Sequence, residues 1–325
     1  MDIERLRERA RIIQSIRNFF VEAGYLETDT PLLSESLIPE TSLEVFKTEL
    51  VTPSNASETG TVSKTLYLVP SPEVHLKKLL AEHGESVFQI SKCFRNYEST
   101  GNLHSPEFTM LEYYTVDADY SASVHITEEL FDVIGVPHRF KPPFLQISVD
   151  DAFSEYAHFA LSKNASVGAL AEKARAFGLA ESAQHPFDSW EIDDLFELLL
   201  VHQIEPHLPS AEQSVILYDY PAFVPCLARD KKSPLEFKCK ERWELYCAGI
   251  ELANCYTEET DKKKVKAYFA AEGAKKAQNA IVKHAINDEY YKLFSSFPPC
   301  SGVALGVDRL VAVMLESKTI AAVIG

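Results

Sequence analysis

The stretch "FRNYESTGNLHSPEFTMLEYY", residues 94–114, sets a cation, a turn and an acid in close succession. Arg95 ends one alternating run, His104 stands in the polar loop, and Glu112 lies two residues before Tyr114 in a second alternating run. Taken alone, Arg95 reads as a surface arginine. A second arginine changes that, because Arg309 sits where the glycine-bearing "CSGVALGVDRLVAVML" breaks from strand into helix. A helix start favours anions through its free N–H groups and its dipole. Two arginines on converging elements could therefore hold the separate phosphates of a nucleotide.

Carboxylates supply the complement. In "RWELYCAGIELANCYTEE" a two-residue turn at Ala248-Gly249 would set Tyr246 opposite Glu251 and leave Glu244 one pleat along on the same face. Two like charges that close repel unless a cation lies between them, and Mg2+ is usually held by one or two carboxylates plus substrate phosphates. Two solvent-facing glutamates on a sheet edge would give the same pattern. Strict alternation puts Asn254, Tyr256 and Glu258 on the other face, so a bulge near Leu252-Ala253 is needed to bring them beside Glu251. Glu112 shares a strand face with Phe108, Met110 and Tyr114 and so stands among apolar neighbours. Such an acid must be protonated, paired with a protein cation, or matched to a cationic ligand. Glu73 in "SPEVHLKK" and Glu258 are further acids for the same pocket.

Other chemistries lack their residues. "SGVALG" is neither G-x-G-x-x-G nor a Walker loop, and the chain has no H-E-x-x-H and no G-x-S-x-G. Cys93, Cys226, Cys239, Cys247, Cys255 and Cys300 form no C-x-x-C pair and read as reduced thiols. A net charge of -16 over 325 residues disfavours a protein built to wrap a phosphate backbone. The clusters Lys231, Lys232, Lys238, Lys240, Arg242 and Lys262, Lys263, Lys264, Lys266 read as solvated faces. "MDIERLRERARIIQSI" has no apolar signal-peptide core and no apolar run approaches a membrane span, so a cytoplasmic location is expected.

Periodicity gives the elements that must position these groups. Ile3, Leu6, Ala10, Ile13, Ile16 and Phe20 space an amphipathic helix over residues 2–23, ending at Gly24. "YLETDTPLL" is strand-like, with Pro31 restricting it to an edge or an end, and residues 52–64 read as a polar loop. "TLYLVPS" and "PEVHLKKLLAEHG" predict a strand running into a helix, and "SVFQISKCFRN" with "EFTMLEYYTV" a long antiparallel hairpin. Residues 148–204 are mostly helical, "SVILYDYPAFV" is a strand, and lysine-rich helical sequence follows the second hairpin. The pattern predicts an α+β fold with a largely antiparallel sheet flanked by helices. Residues 1–325 read as a single domain with a mostly helical insertion at about 148–210.

Together these residues resemble the catalytic domain of class II aminoacyl-tRNA synthetases, most closely the lysyl branch, over nearly the whole chain. The first helix and "GYLETDTP" look like motif 1 with its proline, here Pro31; residues 94–114 look like motif 2, and "GVALGVDRL" looks like motif 3. The resemblance implies that Arg95 and Arg309 are the catalytic pair, on the α- and γ-phosphates of ATP. It adds Asn96, Glu98, His104, Ser105, Phe108, Glu244, Leu245 and Gly306 to the nucleotide site, with Phe108 stacked on adenine. Glu98 stands for the acid of the family's "FRNE" if Tyr97 is the inserted residue. Mg2+ is implied at Glu244 and Glu251. Ser71, Pro72 and Glu73 would be substrate-binding, with Glu73 on the α-amino group. Glu112, Tyr114, Glu251, Asn254, Tyr256, Glu258 and Ala304 would surround the rest of a lysine-like molecule.

The implied reaction is attack of the amino-acid carboxylate on the ATP α-phosphorus, giving an aminoacyl-adenylate and pyrophosphate. The chain opens on motif 1, without an anticodon-reading OB-fold, and so looks most like the stand-alone elongation factor P lysine ligases, which move a lysyl or β-lysyl group onto a lysine of that factor. Ala253 and Ala304, where tRNA-charging enzymes usually have glycine, agree with that branch. ATP and Mg2+, a protein acceptor rather than tRNA, no membrane, and a homodimer are the matching expectations. A free-standing enzyme acting on tRNA or a small acceptor, and a non-catalytic amino-acid sensor, are the alternatives.

Overall fold

A computed structural model of the chain describes residues 2–53, 61–97, 101–182, 185–232 and 236–324. The chain opens with α1 (Ile3–Glu22), β1 (Leu26–Glu27), β2 (Leu33–Ser34), β3 (Lys47–Pro53), β4 (Thr61–Leu68), α2 (Glu73–His83), β5 (Val87–Phe94) and β6 (Glu107–Val116). It continues with α3 (Tyr120–Ile134), β7 (Leu145–Ser148), α4 (Val149–Tyr156), α5 (Val167–Ala176), α6 (Ile192–Leu199), β8 (Val215–Pro221), β9 (Cys239–Cys247) and β10 (Ile250–Thr257). It closes with α7 (Lys262–Asn279), β11 (Cys300–Gly306) and α8 (Val307–Met314). Two compact units result: Met1–Ala118 with Glu259–Gly325, and Asp119–Glu258.

In the first unit the strand order is β1-β5-β6-β11, antiparallel except for the parallel β1/β5 pair. Alternation divides its faces. Phe88 and Tyr113 turn toward α1, where their rings lie 5.1 and 4.7 Å from that of Phe20. The buried row of α1 is Ile12, Ile16 and Phe20, at a spacing of four, whereas Ile3, placed in the apolar stripe by the sequence pattern, is 58% exposed. Asp2 caps the helix by accepting the Glu4 N–H, and Gly24, at φ +84°, ends it.

The opposite face carries the chemistry. Glu112 is paired with Gln89 on one side and Ala304 on the other, Tyr114 with Val87 and Gly302, and Met110 with Ser91 and Gly306. The small residues Gly302, Ala304 and Gly306 leave room over that face. Asp308 sets the start of α8: buried at 2% exposure, it accepts the Thr109 N–H at 2.7 Å and pairs with Arg9 at 2.6 Å, while Arg9 also donates to the Thr109 hydroxyl at 2.9 Å. Arg309, next in sequence, takes its direction from this three-way anchor.

Two sequence expectations change. "YLETDTPLL" is no single strand: β1 lies against β5, and β2 joins a separate small sheet of order β2-β4-β3, with Pro31 between them. The polar loop at 52–64 is shorter than expected, because Thr52 and Pro53 pair with Val62 and Thr61 in a β3/β4 hairpin. Threonine and valine at these positions suit an exposed strand as well as a loop. Residues 54–60 lie outside the described ones.

In the second unit the strand order is β10-β9-β8-β7, antiparallel except for the parallel β7/β8 pair. Its core joins α4, α5 and α6 to the inner face of the strands through Phe153, Leu170, Phe196, Leu199, Leu217 and Tyr220. The Phe153 and Phe196 rings stack at 5.7 Å. β9 and β10 meet at Ala248 and Gly249, whose φ values of 54° and 74° fit the mirror-image turn that matches strand twist.

Candidate active site

In the first unit Arg95 follows directly on β5 and is held by its backbone, its N–H donating to the Pro106 carbonyl at 3.0 Å. Its guanidinium lies over the Phe108 ring at 5.3 Å, and its buried Nε has no hydrogen-bond partner among the described residues. Asn96 faces the segment 44–45: its N–H reaches the Glu44 carbonyl at 2.9 Å and its side-chain amide the Val45 carbonyl at 3.3 Å. Tyr97 sits at φ +56° and is 79% exposed, as an extra residue in a turn would be. Glu98 lies outside the described residues.

Arg309 reaches back to the same loop, with Nη2 at 3.0 Å from His104 Nε2 and Nε at 3.4 Å from the Leu103 carbonyl. Gly306 packs on it; a Cβ there would stand 3.6 Å from Arg309 Cδ. Ser105 is half-buried in the loop. Glu112 is 3% exposed and accepts the Tyr114 hydroxyl at 2.7 Å, which aligns its carboxylate beside Ala304. Glu73 opens α2 after Ser71, whose hydroxyl accepts the Glu73 N–H at 3.3 Å, and Pro72, the N-cap. The Glu73 carboxylate pairs at 2.5 Å with Lys77, whose side chain is 0% exposed. The first unit thus carries Arg95 at the end of β5, Arg309 at the start of α8 reaching the loop that follows Arg95, and the two acids Glu73 and Glu112.

In the second unit Tyr246 is paired with Glu251, as the two-residue turn requires. The register shifts between Glu251 and Ala253, the bulge that alternation demanded, and Asn254 consequently faces Glu244 and Tyr256 faces Arg242. Glu244 is 7% exposed. One oxygen accepts Arg242 at 2.5 Å, and the other accepts the Tyr220 and Tyr246 hydroxyls at 2.5 and 2.6 Å. Asn254 donates to the Tyr256 hydroxyl at 3.3 Å, leaving its buried Oδ1 without a partner among the described residues. Glu258 is 2% exposed at the strand end. Leu245 is fully buried on the face of β9 opposite Glu244, so only its backbone is available.

Burial, then the charge of Glu244, pushes the Tyr220 and Tyr246 phenols well above their usual range, so both stay protonated donors. Glu205 accepts from Tyr246 at 3.1 Å, and burial followed by the charge of Glu244 pushes its carboxyl up to about 7. A carboxyl raised in the folded state binds more protons there than when unfolded, so its contribution falls as pH rises from its unfolded value toward 7. Glu205→Gln keeps an acceptor for Tyr246 without the charge. It is therefore expected to melt above the parent protein at pH 8 and to lose that advantage at pH 5, as thermal unfolding at the two pH values would show.

The six cysteines are all free, and burial pushes the Cys93 and Cys247 thiols up to about 12. Sequence reasoning placed Arg242 on a solvated face, but its side chain is 14% exposed and lies 4.3 Å over the Tyr220 ring. Alternation with Glu244 along β9 was the signal that it belongs to the same face. Lys77, four residues after Glu73, was legible as a helical pair; Asp308 and Tyr220, which fix Arg309 and Glu244, gave no local signal. Among the described residues no group of three or more His, Cys, Asp or Glu side chains is arranged to hold a metal ion.

A family model described as tRNA synthetases class II (D, K and N) matches residues 3–325. The chain belongs to this family. Class II synthetase architecture is thus the fold. Among curated proteins the chain is 35% identical over 324 residues to the elongation factor P (R)-β-lysine ligase of Haemophilus influenzae (strain PittGG), covering 98% of this chain and 93% of that protein. It is 33% identical to the ligase of the same name from Proteus mirabilis (strain HI4320), covering 99% and 94%. With the Vibrio cholerae serotype O1 ligase it shares 33% identity, covering 96% and 92%. No helix among the described residues of this class II family member is long and apolar enough to cross a membrane.

Proposed function

We propose that this chain is an ATP-dependent ligase that activates lysine or (R)-β-lysine as an aminoacyl-adenylate and transfers it to a lysine side chain of elongation factor P. The observation that carries this reading is identity of 33 to 35% along almost the full length of relatives that share that one name. Both motif arginines and both hairpin glutamates are kept, which a sensor without turnover would not need.

In this reading Arg95 meets the α-phosphate, where negative charge builds as the amino-acid carboxylate attacks, and Arg309 meets the γ-phosphate of the departing pyrophosphate. The protein's share is alignment and charge neutralisation, since the substrate brings its own nucleophile. Glu112, aligned by Tyr114, takes the side-chain ammonium, and Glu73 takes the other amino group. Glu244 and Glu251 fit a divalent cation that completes its shell on phosphates: a carboxylate has about four lone-pair sites, and three donors occupy Glu244. When bound, Mg2+ supplies neutralising charge to the phosphates. Its removal by chelation is expected to stop adenylate formation.

A homodimer and a cytoplasmic setting belong to the same reading. Val21, Leu26 and Leu33, at 53, 52 and 42% exposure, leave apolar surface around motif 1 that a second copy would cover. ATP–pyrophosphate exchange across a panel of amino acids tests the activation step. Exchange with α-lysine or (R)-β-lysine alone is expected, and silence with every amino acid would favour a sensor instead.

A further inference from the structure

Arg95 is aimed largely by its backbone. Its buried Nε has no hydrogen-bond partner among the described residues, so no bond at that atom fixes the guanidinium. Two consecutive peptide N–H groups are pegged instead, that of Arg95 to the Pro106 carbonyl at 3.0 Å and that of Asn96 to the Glu44 carbonyl at 2.9 Å. These pegs hold the peptide planes on either side of the Arg95 Cα and so set the direction in which its side chain leaves. One peg belongs to the residue before β6. The other belongs to a strap, residues 37–46, which has no helix or strand of its own and meets Asn96 through an isolated antiparallel bridge. That peg is only as firm as the strap. Buried Glu272 of α7 accepts the Thr41 N–H at 3.2 Å, and buried Lys276 of α7 donates to the Leu43 carbonyl. Glu44 closes the shortest route, its Oε1 accepting the Ile281 N–H and its Oε2 the Val282 N–H, each at 2.9 Å. One residue thus grips the backbone just past α7 with its side chain and Asn96 with its carbonyl.

We propose that Glu44 is a positioning residue for Arg95, acting through the strap and Asn96. This rests on the reading above that Arg95 meets the α-phosphate. A carboxylate suits the clamp because each of its oxygens takes one of two neighbouring backbone N–H groups, in charge-assisted bonds. A glutamine has a single carbonyl oxygen, and its amide N–H groups would oppose the second donor. When the clamp is lost the strap is freed, the Asn96 peg moves with it, and Arg95 comes to the phosphate off line. A misplacement of about 1 Å in a group that orients the reactants costs up to about 100-fold in rate.

The test is ATP–pyrophosphate exchange by the full chain with α-lysine or (R)-β-lysine. Glu44→Gln is expected to lower kcat by about tenfold while the amino-acid KM stays within about twofold of the parent, and Glu44→Asp, which keeps both oxygens, to recover part of the loss. Ile281→Pro reaches the same clamp from its other side: it deletes one donor, leaves Glu44 in place, and follows Ala280, whose φ of −66° and ψ of 136° already suit a residue before proline. The same loss is expected there. The deciding comparison is made on an Arg95→Ala background, where Glu44→Gln is expected to change the residual rate by less than about twofold, because the group it aims is gone. A purely structural lesion would lower that residual rate by about tenfold again. That result, or exchange within about twofold of the parent in both Glu44→Gln and Ile281→Pro, would overturn the proposal. Arg95→Ala alone separates the two levels: if it leaves exchange within about tenfold of the parent, the reading of Arg95 fails, whereas a strong loss there beside unchanged clamp variants sinks this inference alone.

Discussion

Replacing Arg95 by alanine is expected to slow adenylate formation by about 10³-fold, in kcat and kcat/KM alike, while the melting temperature barely moves. The two halves of this expectation have one cause. The Arg95 Nε is buried, has no acceptor among the described residues, and its guanidinium is steadied by the Phe108 ring at 5.3 Å. Such a group contributes little to folding and waits for an anion, so its removal is felt when phosphate charge develops. Arg95→Lys is expected to restore little, because an ammonium lacks the planar fork that stacks on the ring and spans two phosphate oxygens. Pyrophosphate exchange together with thermal unfolding reads both halves. Exchange within tenfold of the parent, or a large loss of stability, would place Arg95 outside the chemistry.

Arg242→Ala is expected to do the reverse and to strike stability first. Its guanidinium and the Glu244 carboxylate meet at 2.5 Å with side-chain exposures of 14 and 9%. Breaking a buried pair by removing one partner leaves an uncompensated charge and costs about 3–5 kcal/mol, which corresponds to a fall in Tm on the order of 10 °C. The paired change Arg242→Leu with Glu244→Leu removes both charges and is expected to recover much of the loss, while remaining inactive because Glu244 is gone. Denaturant unfolding of the two single variants and the double variant gives the coupling. A loss below about 1 kcal/mol for Arg242→Ala would mean that the pair contributes no more than an exposed ion pair does.

Much of this was legible because it is local. The Glu244–Glu251 face follows from turn length, and the bulge before Asn254 follows from alternation, since only a register shift puts Asn254 and Tyr256 on that face. Both are present in the β9/β10 ladder. Glu112 among apolar neighbours likewise followed from period two. What stayed hidden depends on contacts far apart in sequence. Tyr220 on Glu244 and Asp308 on the Thr109 N–H are made by tertiary packing, and no spacing within a window announces them. The shortened loop at 52–64 failed for another reason: its threonines and valine suit an exposed strand as readily as a loop, and the β3/β4 ladder decides between them.

One measurement bears most directly on what the protein does. Labelled (R)-β-lysine or α-lysine, activated with ATP by the full chain, is offered purified elongation factor P and bulk tRNA in the same tube, and the two are then separated. Label is expected on elongation factor P, and lost when its acceptor lysine is replaced by arginine. Label on tRNA alone would contradict the account.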